Sequence, residues 1–320
     1  MPGGSSLHSV RLQFSAGDMK IFRKIKKREI SLHIMLIPGI VVIFIFAYIP
    51  LSGLRIAFQN FIPARGFFGN QEWVGFDNLA LILSFPNTLQ VIKNTIIIAL
   101  WKIALGLFVP ITVALLLNEI KFRKLKKIIQ TVIYFPHFIS WIIFSGILLD
   151  LLSPSYGIVG KFFVFFGMEP IFFLGDNRYF RGTIIATDIL KNFGYGTVVY
   201  MAAITGINPN LYEAAEIDGA GRWRQTLHVT IPGMQMIIVL MMVLSLGNIL
   251  NAGFDQIFNL YSFYVYETGD IIDTLVYRMG LEQSMFGPSV AVGLFKSVVS
   301  LVFISLSYLS AYKLFDYRIF

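Results

Sequence analysis

Six stretches of the chain, residues 31–54, 94–118, 130–152, 182–204, 233–254 and 288–312, stay apolar for 22 to 25 residues at a time. About 20 apolar residues are needed to cross roughly 30 Å of hydrocarbon. Each stretch predicts a helix, because an isolated strand would leave its backbone polar groups unpaired in lipid. Pro38, Pro110 and Pro136 fall inside these stretches; membrane helices accept internal proline as a kink. Residues 1–18 are rich in Gly and Ser and lack the charged-then-apolar order of a cleavable leader, so they predict a tail. Residues 19–30 alternate apolar and basic positions (Ile21, Phe22, Ile25 and Ile30 against Lys20, Arg23, Lys24 and Lys27). That pattern predicts a short helix lying on the membrane surface. The expected organisation is an N-terminal tail and surface helix over 1–30 and a membrane domain over 31–320.

Composition agrees with lipid as the solvent for much of the chain. Hydrophobic residues make up 56% and charged residues 14%, with a mean hydropathy of +0.71 and 31 Phe; a soluble domain carries about 25% charged residues. Disorder, collagen and a disulfide scaffold are excluded, and with no cysteine there is neither thiol chemistry nor Cys-ligated metal. The net charge of +8 takes its meaning from its placement. With the N-terminus cytoplasmic, 16 of the 26 Lys and Arg fall on inner segments, 7 on outer segments and 3 within spans. This obeys the positive-inside rule and puts both termini in the cytoplasm. It also removes nucleic acid as a partner: Arg23, Lys24, Lys26, Lys27 and Arg28 directly precede a span, where they meet anionic headgroups.

Between the fourth and fifth stretches, residues 211–232 read LYEAAEIDGAGRWRQTLHVTIP. Asn208 caps a helix whose early turns carry Glu213 and Glu216, favourable to the helix dipole. Gly219 and Gly221 break it, a second amphipathic stretch runs over 222–229, and Pro232 marks entry to the next span. Small Ala214, Ala215 and Ala220 admit close approach of another protein surface. The segment resembles the EAA loop of permease subunits of ATP-binding-cassette importers: Glu213, Ala214, Ala215, Asp218, Gly219, Ala220, Ile231 and Pro232 match the pattern, and Thr226 departs from it where an aromatic is usual. GFDNL at 75–79, YFPHFISW at 134–141, AGFDQIFNLY at 252–261 and GDIIDT at 269–274 resemble the branch that takes up polysaccharides, including alginate and pectin-type fragments.

The resemblance implies an all-α integral membrane protein of about six spans, the type I importer membrane domain, in the cytoplasmic (inner) membrane. It implies a coupling loop at 205–232 that sits in a cleft of the ATPase, with Glu213 and Asp218 making polar contacts and Gly219 the turn. It further implies a second, related permease, two ATPase subunits that carry ATP and Mg, an extracytoplasmic substrate-binding protein, and no catalysis in this chain.

Lys102, Lys191 and Lys296 are the three basic residues within the apolar stretches, each 8 or 9 residues from the expected outer boundary. At about 1.5 Å per residue they lie roughly 12–14 Å deep, where a charge is a functional candidate by default. Only Asp188 lies within one helical turn, three residues before Lys191. These residues, with Trp141, Tyr195 and Tyr200 as rings on which a sugar can stack and Trp101 at similar depth, form the expected substrate pathway for an acidic sugar such as a uronate. An ion-coupled secondary transporter, with Lys191 and Asp188 as a relay, is the alternative. A membrane-embedded glycosyl or lipid transferase needs an interfacial acidic cluster that the sequence lacks. No phosphate-binding loop is present (Gly160-Lys161 is followed by Phe162), and His8, His33, His137 and His228 have no metal-ligand spacing.

Overall fold

The structure, a computed structural model, describes residues 27–315. The expected tail and most of the expected surface helix fall outside the described residues. The regular secondary structure of the described residues is helical apart from one two-stranded ladder. The described residues divide into two compact units, one up to Gly53 and one from Leu54 on.

In the first unit, α1 (Lys27–Ile43) carries Pro38 and continues through a wider turn over Phe44–Tyr48. All side chains from 33 to 52 are exposed, as a helix bathed in lipid requires.

In the second unit, β1 (Gln59–Asn60) and β2 (Glu72–Trp73) pair antiparallel, closed by the Gln71 side chain, which donates to the Ile62 and Gly66 carbonyls. Helix α2 (Asp77–Ser84) leads into α3 (Thr88–Glu119), which runs unbroken past Pro110. Then come α4 (Arg123–Tyr134), α5 (Trp141–Leu151), α6 (Ile158–Phe165) and α7 (Asn177–Thr205). The hairpin helices α8 (Pro209–Ile217) and α9 (Arg222–Gln225) precede α10 (Ile231–Gly247). Short α11 (Phe254–Leu260), α12 (Tyr266–Gly269) and α13 (Ile272–Tyr277) connect to α14 (Phe286–Phe315).

Helices α3 and α7 form the spine. One core packs Ile98 against Phe144, Phe180, Ile184 and Ile257, and another packs Ala114 and Leu117 against Tyr200, Met201 and Met234. A third gathers Ile82, Val91, Ile249, Ile272 and Val292 where α2, α3, α13 and α14 meet.

Four helices among the described residues are long and apolar enough to cross a membrane, and a fifth crossing arises only if the bent pair Arg123–Phe138 and Trp141–Leu151, at 103°, counts as one. Of the six expected stretches, the one at 130–152 and the one at 182–204 fall outside the four. The stretch at 130–152 is not continuous: Pro136 lies in a tight turn over Phe135–Phe138, and Ser140 starts a new helix by accepting from the Ile143 amide. Pro136 ends a helix instead of kinking it. Helix α7 is long enough at 29 residues, roughly 44 Å, and falls short by composition.

The segment between α10 and α14 is pinned to the spine by buried polar contacts. Asn94 donates to the Glu267 and Asp270 carbonyls and accepts from Arg181. Asp270 receives Arg278 through two bonds, 3.2 and 2.5 Å. Burial alone would lower the Arg278 pKa; the hydrogen bonds and charge of Asp270 outweigh it and hold the group above its ordinary value.

Candidate functional site

The 205–232 segment folds as the helix, turn and helix expected of it. The Asn208 side chain accepts from the Asn210 amide, and Pro209 opens α8 where its missing N–H costs nothing. The turn rests on Gly219 at φ +74°, with the Ala220 amide reaching back to the Ala215 carbonyl at 2.8 Å. Gly221 has an ordinary φ of −66° and serves as the N-cap of α9, so only one of the two glycines supplies left-handed backbone. Pro232 lies in the first turn of α10, although the helical run that contains it starts further upstream. The helix runs from Arg222 to Gly247 and passes through a wider turn over Thr226–Thr230 just before the proline.

Glu213, Ala214, Asp218 and Gly219 are exposed, and Ala215 and Ala220 half-buried. Beside them Ile217 is 87% exposed and Trp223 73% exposed. The hairpin is nevertheless tied down. Tyr212 shares a hydrogen bond with Thr230 at 3.0 Å, the Gln225 side chain donates to the Ala220 carbonyl, and Arg222 pairs with Glu119 at the end of α3. Sequence reading missed these ties, since each joins residues on separate elements.

The three lysines have three different environments. Lys102, its side chain 9% exposed, donates to the Ala252 carbonyl at 2.7 Å and to Gln256 Oε1 at 2.5 Å, and Asp188 lies at 3.4 Å. Gln256 in turn donates to the Ile184 carbonyl and to Thr187. Lys102 therefore holds the non-helical break between α10 and α11 against α3 and α7. Gly253 sits in that break at φ +94°, and a Cβ there would lie 2.9 Å from Lys102 Nζ. A cavity of about 270 Å³ opens beside the pair, lined by Lys102, Asp188, Ser245, Asn248 and Asn251.

Lys191 is 4% exposed and caps the bend between α4 and α5 by donating to the Pro136, His137 and Ile139 carbonyls at 3.2, 2.9 and 2.6 Å. Its ammonium also lies 5.3 Å from the Trp141 ring. The neighbouring Asn192 accepts from His137 Nδ1 at 3.1 Å, and its own amide points to Asp188. The expected Lys191–Asp188 pair is thus not formed: Asp188 belongs to Lys102, and carbonyls stand in for a counter-ion at Lys191. The relay of the ion-coupled reading loses its geometry with it.

Lys296 on α14 meets Asp273 on α13 at 2.5 Å, with both side chains 21% exposed, on the wall of a cavity of about 620 Å³. The three intramembrane cations are therefore each answered by a carboxylate or by carbonyl oxygens. Among the rings, Tyr195 is exposed and stacks on His137 at 4.2 Å, whereas Trp141 is half-buried against the core. Tyr200, expected to face the pathway, is 1% exposed inside the α3–α7–α10 core, so the structure places it away from open space. Among the described residues no group of three His, Asp or Glu is placed to hold a metal ion.

The family described as a binding-protein-dependent transport system inner membrane component matches residues 103–318. The chain is 38% identical to the polygalacturonan/rhamnogalacturonan transport system permease protein YteP of Bacillus subtilis over 94% of its own length and 96% of that protein. It is also 38% identical to protein LplB of the same organism, over 87% of each. In three dimensions it matches a chain of a bacterial ABC transporter involved in the import of the acidic polysaccharide alginate. The TM-score is 0.83 at 36% identity, covering 90% of this chain and 97% of that one. That transporter has also been crystallised with an alginate pentasaccharide-bound periplasmic protein.

Proposed function

Because the chain belongs to the family of binding-protein-dependent transport system inner membrane components, we propose that it is one permease subunit of an ATP-driven importer of an acidic oligosaccharide or polysaccharide. The observation that carries this reading is likeness along nearly the whole chain to two permeases whose named cargoes, polygalacturonan and alginate, are acidic. A second permease completes the pathway, a binding protein delivers cargo from outside, and ATP and Mg act on two separate ATPase subunits.

The 205–232 hairpin is the coupling element, at the inner face of the membrane together with both termini. Its exposed Glu213, Ala214, Asp218 and Gly219, with half-buried Ala215 and Ala220, meet the ATPase, and exposed Ile217 and Trp223 supply apolar contact. Movement of the ATPase passes from α8 to α10 through Tyr212–Thr230 and to α3 through Arg222–Glu119. Helix α3 carries Lys102, and α10 carries the lining residue Ser245 and ends at the lining residue Asn248, so hairpin and cavity share the same two helices. Lys102 and Asp188 then line the path at a site whose charges cancel. This suits a cargo that must leave as readily as it enters. Lys191 and Trp141 maintain the bend beside it.

The test is purification of the chain with its partners, followed by Glu213→Ala. An ATPase and a second permease co-purify. The variant assembles, yet cargo-loaded binding protein no longer stimulates ATP hydrolysis. Full stimulation in the variant overturns the coupling role, and cargo accumulation without any ATPase subunit overturns the importer reading.

A further inference from the structure

Counting donors separates Lys296 from the other two lysines. An ammonium has three N–H donors. Lys191 spends all three on carbonyls, and Lys102 spends its three on Ala252, Gln256 and Asp188. Lys296 makes one contact, to Asp273. Lys296 lines the cavity of about 620 Å³, whose size falls within the range of small-ligand sites, with two N–H groups unspent. The other ion pair of this region, Arg278 with Asp270, is closed: it is bonded twice, Asp270 is 4% exposed, and the Tyr266 ring stacks on the guanidinium at 4.8 Å.

Rings stand beside the open cation. Phe254 and Tyr277 line the cavity with centroids 5.7 Å apart, and Phe286 lines it as well. Asn251 borders both this cavity and the one at Lys102, and its side-chain amide bonds to no described residue. A half-buried cation with spare donors, aromatic faces and a free amide make the set that recognises one uronate residue: carboxylate on the ammonium, ring C–H face on the aromatic, hydroxyl on the amide.

We propose that the Lys296 cavity is a subsite for a sugar carboxylate, with Lys296 as the recognising cation and Asp273 as its attenuator. The assignment rests on the importer reading and deepens it. Asp273 holds the ammonium in place and repels the incoming carboxylate, so the bound sugar is kept weakly enough to move on. Asn251 gives it a neighbouring donor toward the Lys102 cavity.

The experiment compares uptake of a galacturonate trisaccharide with uptake of its methyl ester by the assembled importer in vesicles, as the ratio of acid to ester within one preparation. The ratio is independent of yield, and the binding protein's own preference cancels between variants. Lys296→Gln lowers the ratio by about tenfold or more, the value of a charge-assisted hydrogen bond. Asp273→Asn raises the ratio. A merely architectural pair gives the opposite pattern, both variants slowing acid and ester alike at an unchanged ratio, and that result overturns the proposal. A wild-type importer that accumulates neither sugar overturns the parent reading, and the subsite falls with it.

Discussion

Removing the carboxylate of the Lys102–Asp188 pair should cost far more than removing both charges. At 3.4 Å and an effective dielectric of about 20, the attraction is about 5 kcal/mol. Asp188→Asn leaves an ammonium that is 9% exposed with only the Ala252 carbonyl and Gln256 to answer it, and a buried ion left unpaired costs about 3–5 kcal/mol. Lys102→Met leaves Asp188 beside the open cavity, where water reaches it, at a smaller cost. The double variant Lys102→Met with Asp188→Asn removes both the attraction and the burial penalty, so it should lie close to Lys102→Met alone. The expected coupling is about 3 kcal/mol, or roughly a 150-fold difference in local opening. Amide hydrogen exchange of peptides over 184–192 and 250–257 reads it directly, because the lysine ties the α10–α11 break to α7. Additivity within about 0.5 kcal/mol would refute the reasoning, as would a double variant that opens more than Asp188→Asn.

Two further outcomes follow from the same accounting. Tyr200 is buried with its hydroxyl unpartnered, so Tyr200→Phe removes a desolvated group; thermal unfolding should stay level or rise by up to about 1 kcal/mol in equivalent stability, and a clear loss would reveal a partner for the hydroxyl. Gly219→Val forces a branched side chain into φ +74° at a cost of roughly 1–2 kcal/mol, which should raise protease cleavage across 217–222 and lower ATPase stimulation, whereas Gly219→Asn should be tolerated; equal behaviour of the two variants would remove the backbone argument.

Much of this molecule was legible from patterning, and the failures share a cause. Long apolar runs gave helices because backbone satisfaction in lipid leaves no other choice. The hairpin at 205–232 could be placed because its start (Asn208-Pro209) and its turn (Gly219) are local chemistry. Hydropathy cannot see a backbone that changes direction inside an apolar run. Pro136 looked like a tolerated kink, yet the turn it enters is stabilised by Lys191, 55 residues later. Pairing failed for the same reason. Asp188 stands three residues before Lys191 and was the nearest charge in sequence, but Lys102 on α3 claims it. The partner of Lys296 was one of five acids in the 255–287 segment, with nothing local to single out Asp273. Gln256 sat inside the quoted 252–261 motif without showing that it would bridge Lys102 to α7.

Helix α7, read as the fourth apolar stretch, carries polar side chains that a lipid-facing helix would not. A helix surrounded by protein can carry polar side chains, because neighbouring helices supply the partners that lipid cannot. The fully exposed run beginning at His33 is without a charged residue until Arg55, whereas α7 buries ten residues, among them Thr187, Lys191 and Thr197. Its polar side chains hold the α4–α5 bend through Lys191 and Asn192 and, through Thr187 and Asp188, the α10–α11 break. The bend and the break therefore both hang on α7. It is also the helix that leads straight into the exposed hairpin. On the proposed coupling role, a push on that hairpin would reach both the bend and the break through this one helix.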